Sequence, residues 1–157
     1  MGVADILEEE DQKKIHSHEI VLWPRRWNGY RFETSLTWQI HRLMIAEKPH
    51  IPDQPGIYTL LVQPGIAHHP ACSYLMYVGK TKSLHRRFGE YLQEKNRDTG
   101  RPRILRLLNG YPDHVWFCFT ELLESELHNA EEALIEAYLP PCNEQFPGRF
   151  PPGKGDS

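Results

Sequence analysis

The sequence has little of what marks several large protein classes. No apolar run approaches the roughly 18 residues that would suggest a membrane-spanning helix. The opening MGVADILEEEDQKK carries acid where a secretory leader would carry base and an apolar stretch. The three cysteines (Cys72, Cys118, Cys142) form no C-x-x-C pair and read as reduced thiols in a cytoplasmic protein rather than as a disulfide framework. There is no internal repeat and no excess of base, since 18 Lys and Arg stand against 21 Asp and Glu for a formal net charge of -3. What is present is ordinary globular material: 39% hydrophobic and 25% charged residues over 157 positions suit one domain with a short extension.

A net negative charge weighs against phosphate binding, but the charge is unevenly spread. Between Lys80 and Arg106 stand nine basic side chains (Lys80, Lys82, Arg86, Arg87, Lys95, Arg97, Arg101, Arg103, Arg106) against three acids (Glu90, Glu94, Asp98). The compensating acid lies in Asp5 to Glu19 and Glu121 to Glu136. Such a local excess could steer a polyanion to one face, or could belong to a solvated pair of helices of mixed charge.

Residues 1–14 read as a polar helix or frayed arm, and 15–50 as a tryptophan-rich stretch unlike the rest of the chain. Within it, Glu33 to Glu47 suits a short helix with Leu36, Ile40, Leu43 and Met44 along one side. Pro49, Pro52 and Pro55 form a stiff connection. GIYTLLVQ (56–63) and SYLMYVGK (73–80) predict an antiparallel hairpin with a longish loop. Ser83 can cap a helix to about Lys95 with Leu84, Phe88, Tyr91 and Leu92 on one face, and Pro102 fits the first turn of another ending near Asn109-Gly110. HVWFCFT (114–120) reads as a buried third strand, Ser125 opens a helix to about Tyr138 that Pro140-Pro141 stops, and FPGRFPPGKGDS as a disordered tail. The expected fold is α+β: a small three-stranded antiparallel sheet flanked by helices, in a domain over 51–146, with an extension over 1–50 and a tail over 147–157. The extension reads as a DNA-contacting or dimer arm. Within it, residues 15–50 are the only candidate for reading DNA, the alternative being that they complete the core or form a dimer surface.

At about 100° per residue, Leu127, Ala130, Leu134, Ile135 and Tyr138 define one apolar face of the last helix. Glu131 falls inside that arc, while Glu132 and Glu136 point away. A carboxylate on a buried face is costly unless paired or bound to metal. The helix alone leaves two readings equal, a salt bridge to a neighbouring arginine and a ligand for a hard cation. On the Ser83–Lys95 helix, Arg87 borders the apolar stripe and Arg86 points outward. His68, His69 and Cys72 match no closed four-ligand zinc spacing and read as a hairpin-tip loop.

These residues carry a resemblance. Gly56-Ile57-Tyr58 followed by Tyr77-Val78-Gly79 resembles the paired tripeptides of the GIY-YIG nucleases, although the intervening stretch, 59–76, is longer than in the family's short members. Tyr77-Val78-Gly79-Lys80-Thr81-x-x-Leu84-x-x-Arg87 continues in the family's register, and Glu131-x-x-Leu134-Ile135, Pro140 and Asn143 come later in its order. The resemblance covers about residues 55–146. It implies a DNA endonuclease using one Mg²⁺ or Mn²⁺ on Glu131, with Arg87 on the phosphate, Tyr58 as base and Tyr77 orienting water or phosphate. It also implies substrate-positioning roles for Lys80, Tyr91 and Asn143. Many members carry histidine where Tyr91 stands, so a proton-carrying role does not transfer to it. Lys82 and Arg86 are candidate DNA contacts. Cations beside Tyr58 would favour its phenolate. A catalytically idle nucleic-acid-binding module, or an enzyme acting on RNA or repair intermediates, are the competing readings. One active site cuts one strand, so double-strand cleavage would take a homodimer or two encounters.

Overall fold

The computed structural model describes residues 2–66, 69, 71–95 and 101–143. The expected tail over 147–157, His68 of the hairpin-tip loop and Arg97 and Asp98 of the basic stretch lie outside the described residues. The described strands are β1 (Gln39–Arg42), β2 (Gly56–Val62), β3 (Tyr74–Thr81) and β4 (Val115–Glu121). The helices are α1 (Val3–Ile15), α2 (Pro24–Asn28), α3 (Leu84–Glu94), α4 (Pro102–Gly110) and α5 (Leu127–Tyr138). No described helix is long and apolar enough to cross a membrane.

The strands form one antiparallel sheet in the order β1-β4-β2-β3. Four strands rather than three is a correction, and so is β1 itself, which lies where a helix over Glu33 to Glu47 was expected. Leu43 is buried as that helix would have it, but Ile40 is 43% exposed. Without β1, one edge of β4 would present a row of unpaired backbone groups. Pairing Gln39 to Arg42 against Phe119 to Trp116 satisfies them, and this long-range gain outweighs a weak local helical period. Only Ile45–His50 winds, as a 3-10 turn.

The pleat divides the core between two faces. Tyr58, Leu60, Phe117 and Phe119 pack against Leu84, Phe88 and Tyr91 of α3 and Ile104, Leu107 and Leu108 of α4. Ile57 and Val78 pack on the opposite face against Leu127, Ala130, Leu134 and Ile135 of α5. α5 starts later than Ser125, after a 3-10 turn over Glu124–Glu126.

The start of α3 shows how the proline-rich connection is used. The first N–H groups of a helix have no partner within it. Here the Ser83 hydroxyl accepts from the Arg86 N–H at 3.1 Å, while Gln54 and Pro52 carbonyls accept from the Leu84 and His85 N–H groups. The connection thereby fixes α3 against the strand that Gly56 opens.

Candidate active site

The two tripeptides meet face to face, because Tyr58 on β2 is registered opposite Gly79 on β3. A side chain at position 79 would overlap the Tyr58 ring and hydroxyl, so glycine is what lets that ring lie across β3. Gly56 is closed in similarly, by the Thr120 carbonyl and Leu84. The residues between the glycines are set by a bulge: Leu60 pairs with Tyr77 but Leu61 with Leu75. The register shift leaves Met76 and Tyr77 packed against the same cluster on the α3 face.

Three phenols gather on that face. The Tyr58 and Tyr91 hydroxyls are 2.6 Å apart, and the Tyr58 and Tyr77 ring centroids 6.2 Å. Two guanidiniums bridge them. Arg87 donates through Nη1 to the Tyr58 hydroxyl at 3.2 Å, and Arg101 donates to the Tyr77 and Tyr91 hydroxyls at 3.2 and 3.4 Å. Each arginine faces one carboxylate of α3. Arg87 Nε lies 2.9 Å from Glu90 Oε1 as an ion pair whose N–H is not aligned for a hydrogen bond, and Arg101 Nη2 lies 3.9 Å from Glu94 Oε1.

Lys80 and Glu131 occupy the other side of β3, an edge strand. Lys80 Nζ is 3.6 Å from Glu131 Oε1 and 3.3 Å from His128 Nδ1. Glu131 does lie on the sheet-facing side of α5, between buried Ala130 and Leu134, and its side chain is 22% exposed. Its charge reaches Tyr77 around the edge, where it helps raise the phenol's pKa. Asn143 closes this edge: its amide accepts from the Val78 N–H at 3.0 Å and donates to the Val78 carbonyl at 2.9 Å. The neighbouring Cys142 N–H donates to the Met76 carbonyl at 2.8 Å, so Tyr77 is held between two clamped residues.

The electrostatics differ from expectation at Tyr58. Its side chain is 0% exposed, and burial, aided by Tyr91 and Tyr77, holds its pKa well above the ordinary phenol value against the opposing pull of Arg87. Cations beside it do not win, because desolvation of a phenolate outweighs one neighbouring guanidinium. Tyr77 is half-buried, and its pKa is raised by burial and by Tyr91, with Arg101 opposing. Burial likewise raises the Glu131 carboxyl above its ordinary range, against Lys80.

Among the described residues, no three His, Cys, Asp or Glu side chains gather into a set that could hold a metal by themselves. One half-desolvated carboxylate is a hard oxygen donor of the kind that binds Mg²⁺ alongside several retained waters, so the donor set fits such an ion and does not fit a closed zinc site. Tyr58, Tyr77, Tyr91 and Arg87 thus come together, with Lys80 and Glu131 around the β3 edge and Asn143 behind it. Arg86 and Lys82 stay on the surface, Lys82 paired with Glu124 at 3.4 Å. His69 is exposed and accepts from the Ala71 N–H. Arg101 and Glu94 were not singled out by the sequence. Arg101 counted there only as one basic residue of nine, because its reach to two tyrosines comes from packing α4 beside α3 and leaves no local pattern.

No family model and no curated protein matches the chain. Among solved structures it is similar to the GIY-YIG N-terminal endonuclease domain of UvrC from Thermotoga maritima. That domain bound to magnesium, its catalytic divalent cation, is 26% identical, with 62% of this chain and 92% of that chain covered and a TM-score of 0.44. A point mutant of it, bound to its catalytic divalent cation, is 24% identical over 64% of this chain and 93% of that chain, with a TM-score of 0.45. These neighbours carry the same family name as the resemblance borne by Gly56-Ile57-Tyr58 and Tyr77-Val78-Gly79.

Proposed function

We propose that this chain is a divalent-cation-dependent endonuclease of GIY-YIG type that hydrolyses DNA phosphodiester bonds. The observation that carries the reading is the gathering of residues 58, 77, 87 and 91 on the α3 face of the hairpin, with residues 80 and 131 paired on its other face. A structural ion-pair network would not need three clustered phenols beside it.

Glu131 holds the cation, with Mg²⁺ or Mn²⁺ as the fitting choices. When bound, the ion supplies Lewis-acid stabilisation of charge on the leaving oxygen. Arg87 offers a planar guanidinium to the phosphate oxygens and offsets charge developing there. Lys80 adds a phosphate contact and balances Glu131. Tyr77, the half-exposed phenol, orients the attacking water and relays its proton, passing the phenol's own proton to bulk water as it accepts the new one. The buried Tyr58 keeps its own proton and fixes Arg87 and Tyr91 in place. This passes the base role from Tyr58 to Tyr77, because a fully buried hydroxyl does not meet a water. Tyr91 and Asn143 position, and Lys82 and Arg86 guide the DNA backbone. Free Cys72, Cys118 and Cys142 suit a reducing, cytoplasmic setting.

The test is cleavage of duplex, single-stranded and branched DNA and of RNA, with Mg²⁺, Mn²⁺ or EDTA. Cation-dependent nicking of DNA is the expected result. Cleavage of RNA alone would replace the substrate class, and binding without cleavage under every condition would replace the enzyme with a binding module.

A further inference from the structure

Arg101 is the guanidinium with the widest reach in the phenol cluster. Its Nη1 and Nη2 donate to two different hydroxyls, and its Cζ stands 5.8 Å from the ring centroids of both Tyr77 and Tyr91. These contacts hold the fork in one orientation. The side chain is still 41% exposed, so a solute can reach it.

Arg101 has donors to spare. A guanidinium only donates, and each phenol brings a proton of its own. Among the described residues the nearby acceptors are the phenol oxygens and the carboxylates of Glu90, 2.9 Å from Arg87, and Glu94. Glu94 stands 3.9 Å from Arg101 through one oxygen, and its other oxygen is buried without a hydrogen-bond partner. Each Nη of Arg101 carries a second proton beyond the one given to a tyrosine. These remaining protons suit an anion, and a phosphodiester offers two non-bridging oxygens at the spacing of a guanidinium fork.

We infer that Arg101 is a second phosphate-holding guanidinium of this site, gripping the scissile phosphodiester from the α4 side while Arg87 holds it from α3. This rests on the nuclease reading above and adds a residue to it. Tyr77 and Tyr91 aim the fork, and Glu94 balances its charge until substrate arrives.

The experiment uses the full chain, wild type beside Arg101→Ala and Arg101→Lys. It measures kcat and KM on whichever nucleic acid the wild type cuts, the salt dependence of binding that oligonucleotide without divalent cation, and Tm. Arg101→Ala is expected to lower kcat by about 100-fold or more and to reduce the salt slope of binding by about one. Arg101→Lys should keep the slope, because it keeps the charge, yet recover less than about a tenth of the rate, because an ammonium is no fork. A near-wild-type rate in Arg101→Lys, or an unchanged slope in a well-folded Arg101→Ala, overturns the inference and leaves Arg101 as a brace between helices. Should Arg101→Ala fail to fold, Arg101→Lys alone decides by its rate. A wild type that cuts no nucleic acid overturns the nuclease reading and this inference together. A wild type that cuts, with Arg101→Ala cutting equally well, overturns the inference alone.

Discussion

Arg86 and Arg87 are neighbours with opposite surroundings, and their substitutions should separate. Arg87 touches the Tyr58 hydroxyl, whereas Arg86 is exposed on the outer side of α3. Arg87→Ala is expected to lose turnover far more than affinity, and Arg86→Ala to weaken binding in a salt-dependent way. Steady-state kinetics at two salt concentrations checks this; equal, purely affinity-based losses would remove Arg87 from the chemistry. The two phenols should separate as well. Tyr77→Phe should lower the rate by about two to four orders of magnitude, with Tyr58→Phe acting less on rate and more on the order of the cluster. Glu131 gives a prediction of stability. Burial holds its carboxyl above the unfolded value of 4.5, so the folded state binds this proton the more tightly. The stability gained is present below pH 4.5 and is lost as pH rises through the folded pKa. At neutral pH the carboxylate is therefore a net cost to the fold, and Glu131→Gln should raise Tm in EDTA at pH 7 and not at acid pH. A lower Tm at pH 7 would mean that the Lys80 pair outweighs burial. The helical phase made Glu131 legible from sequence, since five apolar neighbours define its face. The burial of Tyr58 was not legible, because it depends on a glycine opposite it on another strand.

At the scale of elements, the edge strand β3 organises the site. It bears Tyr77 toward α3 and Lys80 toward α5, and Asn143 clamps it between them through both backbone groups of Val78. Asn143→Ala leaves those buried groups unpaired and should cost about 1–3 kcal/mol of stability. Activity should fall further than stability, because Tyr77 loses its fixed position. Asn143→Asp, which accepts from the Val78 N–H but cannot donate to its carbonyl, should do no better. Gly79→Ala should cost about 1–3 kcal/mol through overpacking against Tyr58, read by denaturant unfolding; an unperturbed variant would show that the ring has room to move. The hairpin, α3 and α4 could be read locally because a period of two, a Ser cap and a Pro at the first turn are all short-range signals. β1 could not, because its hydrogen bonds go to a strand more than 70 residues later. The same holds for the carbonyls of the 49–55 connection, whose role in capping α3 appears only once that helix is folded against them.

For the whole molecule, the basic stretch and the acidic ones resolve into places rather than totals. Arg87 and Arg101 turn inward to the phenols, and Lys80 turns to Glu131. Lys82, Arg86, Arg103 and Arg106 remain exposed. Net charge is a poor guide in such a chain, since one basic side chain meets a phenol while another meets a carboxylate. The central claim is that one carboxylate at a strand edge makes this fold a cation-dependent nuclease. It is tested most directly by cleavage of a DNA duplex by wild type, Glu131→Gln and Glu132→Gln, each in Mg²⁺ and in EDTA. The account predicts nicking by wild type and Glu132→Gln in Mg²⁺ alone, and none by a folded Glu131→Gln. Activity retained by Glu131→Gln, or lost by Glu132→Gln in its place, would contradict it.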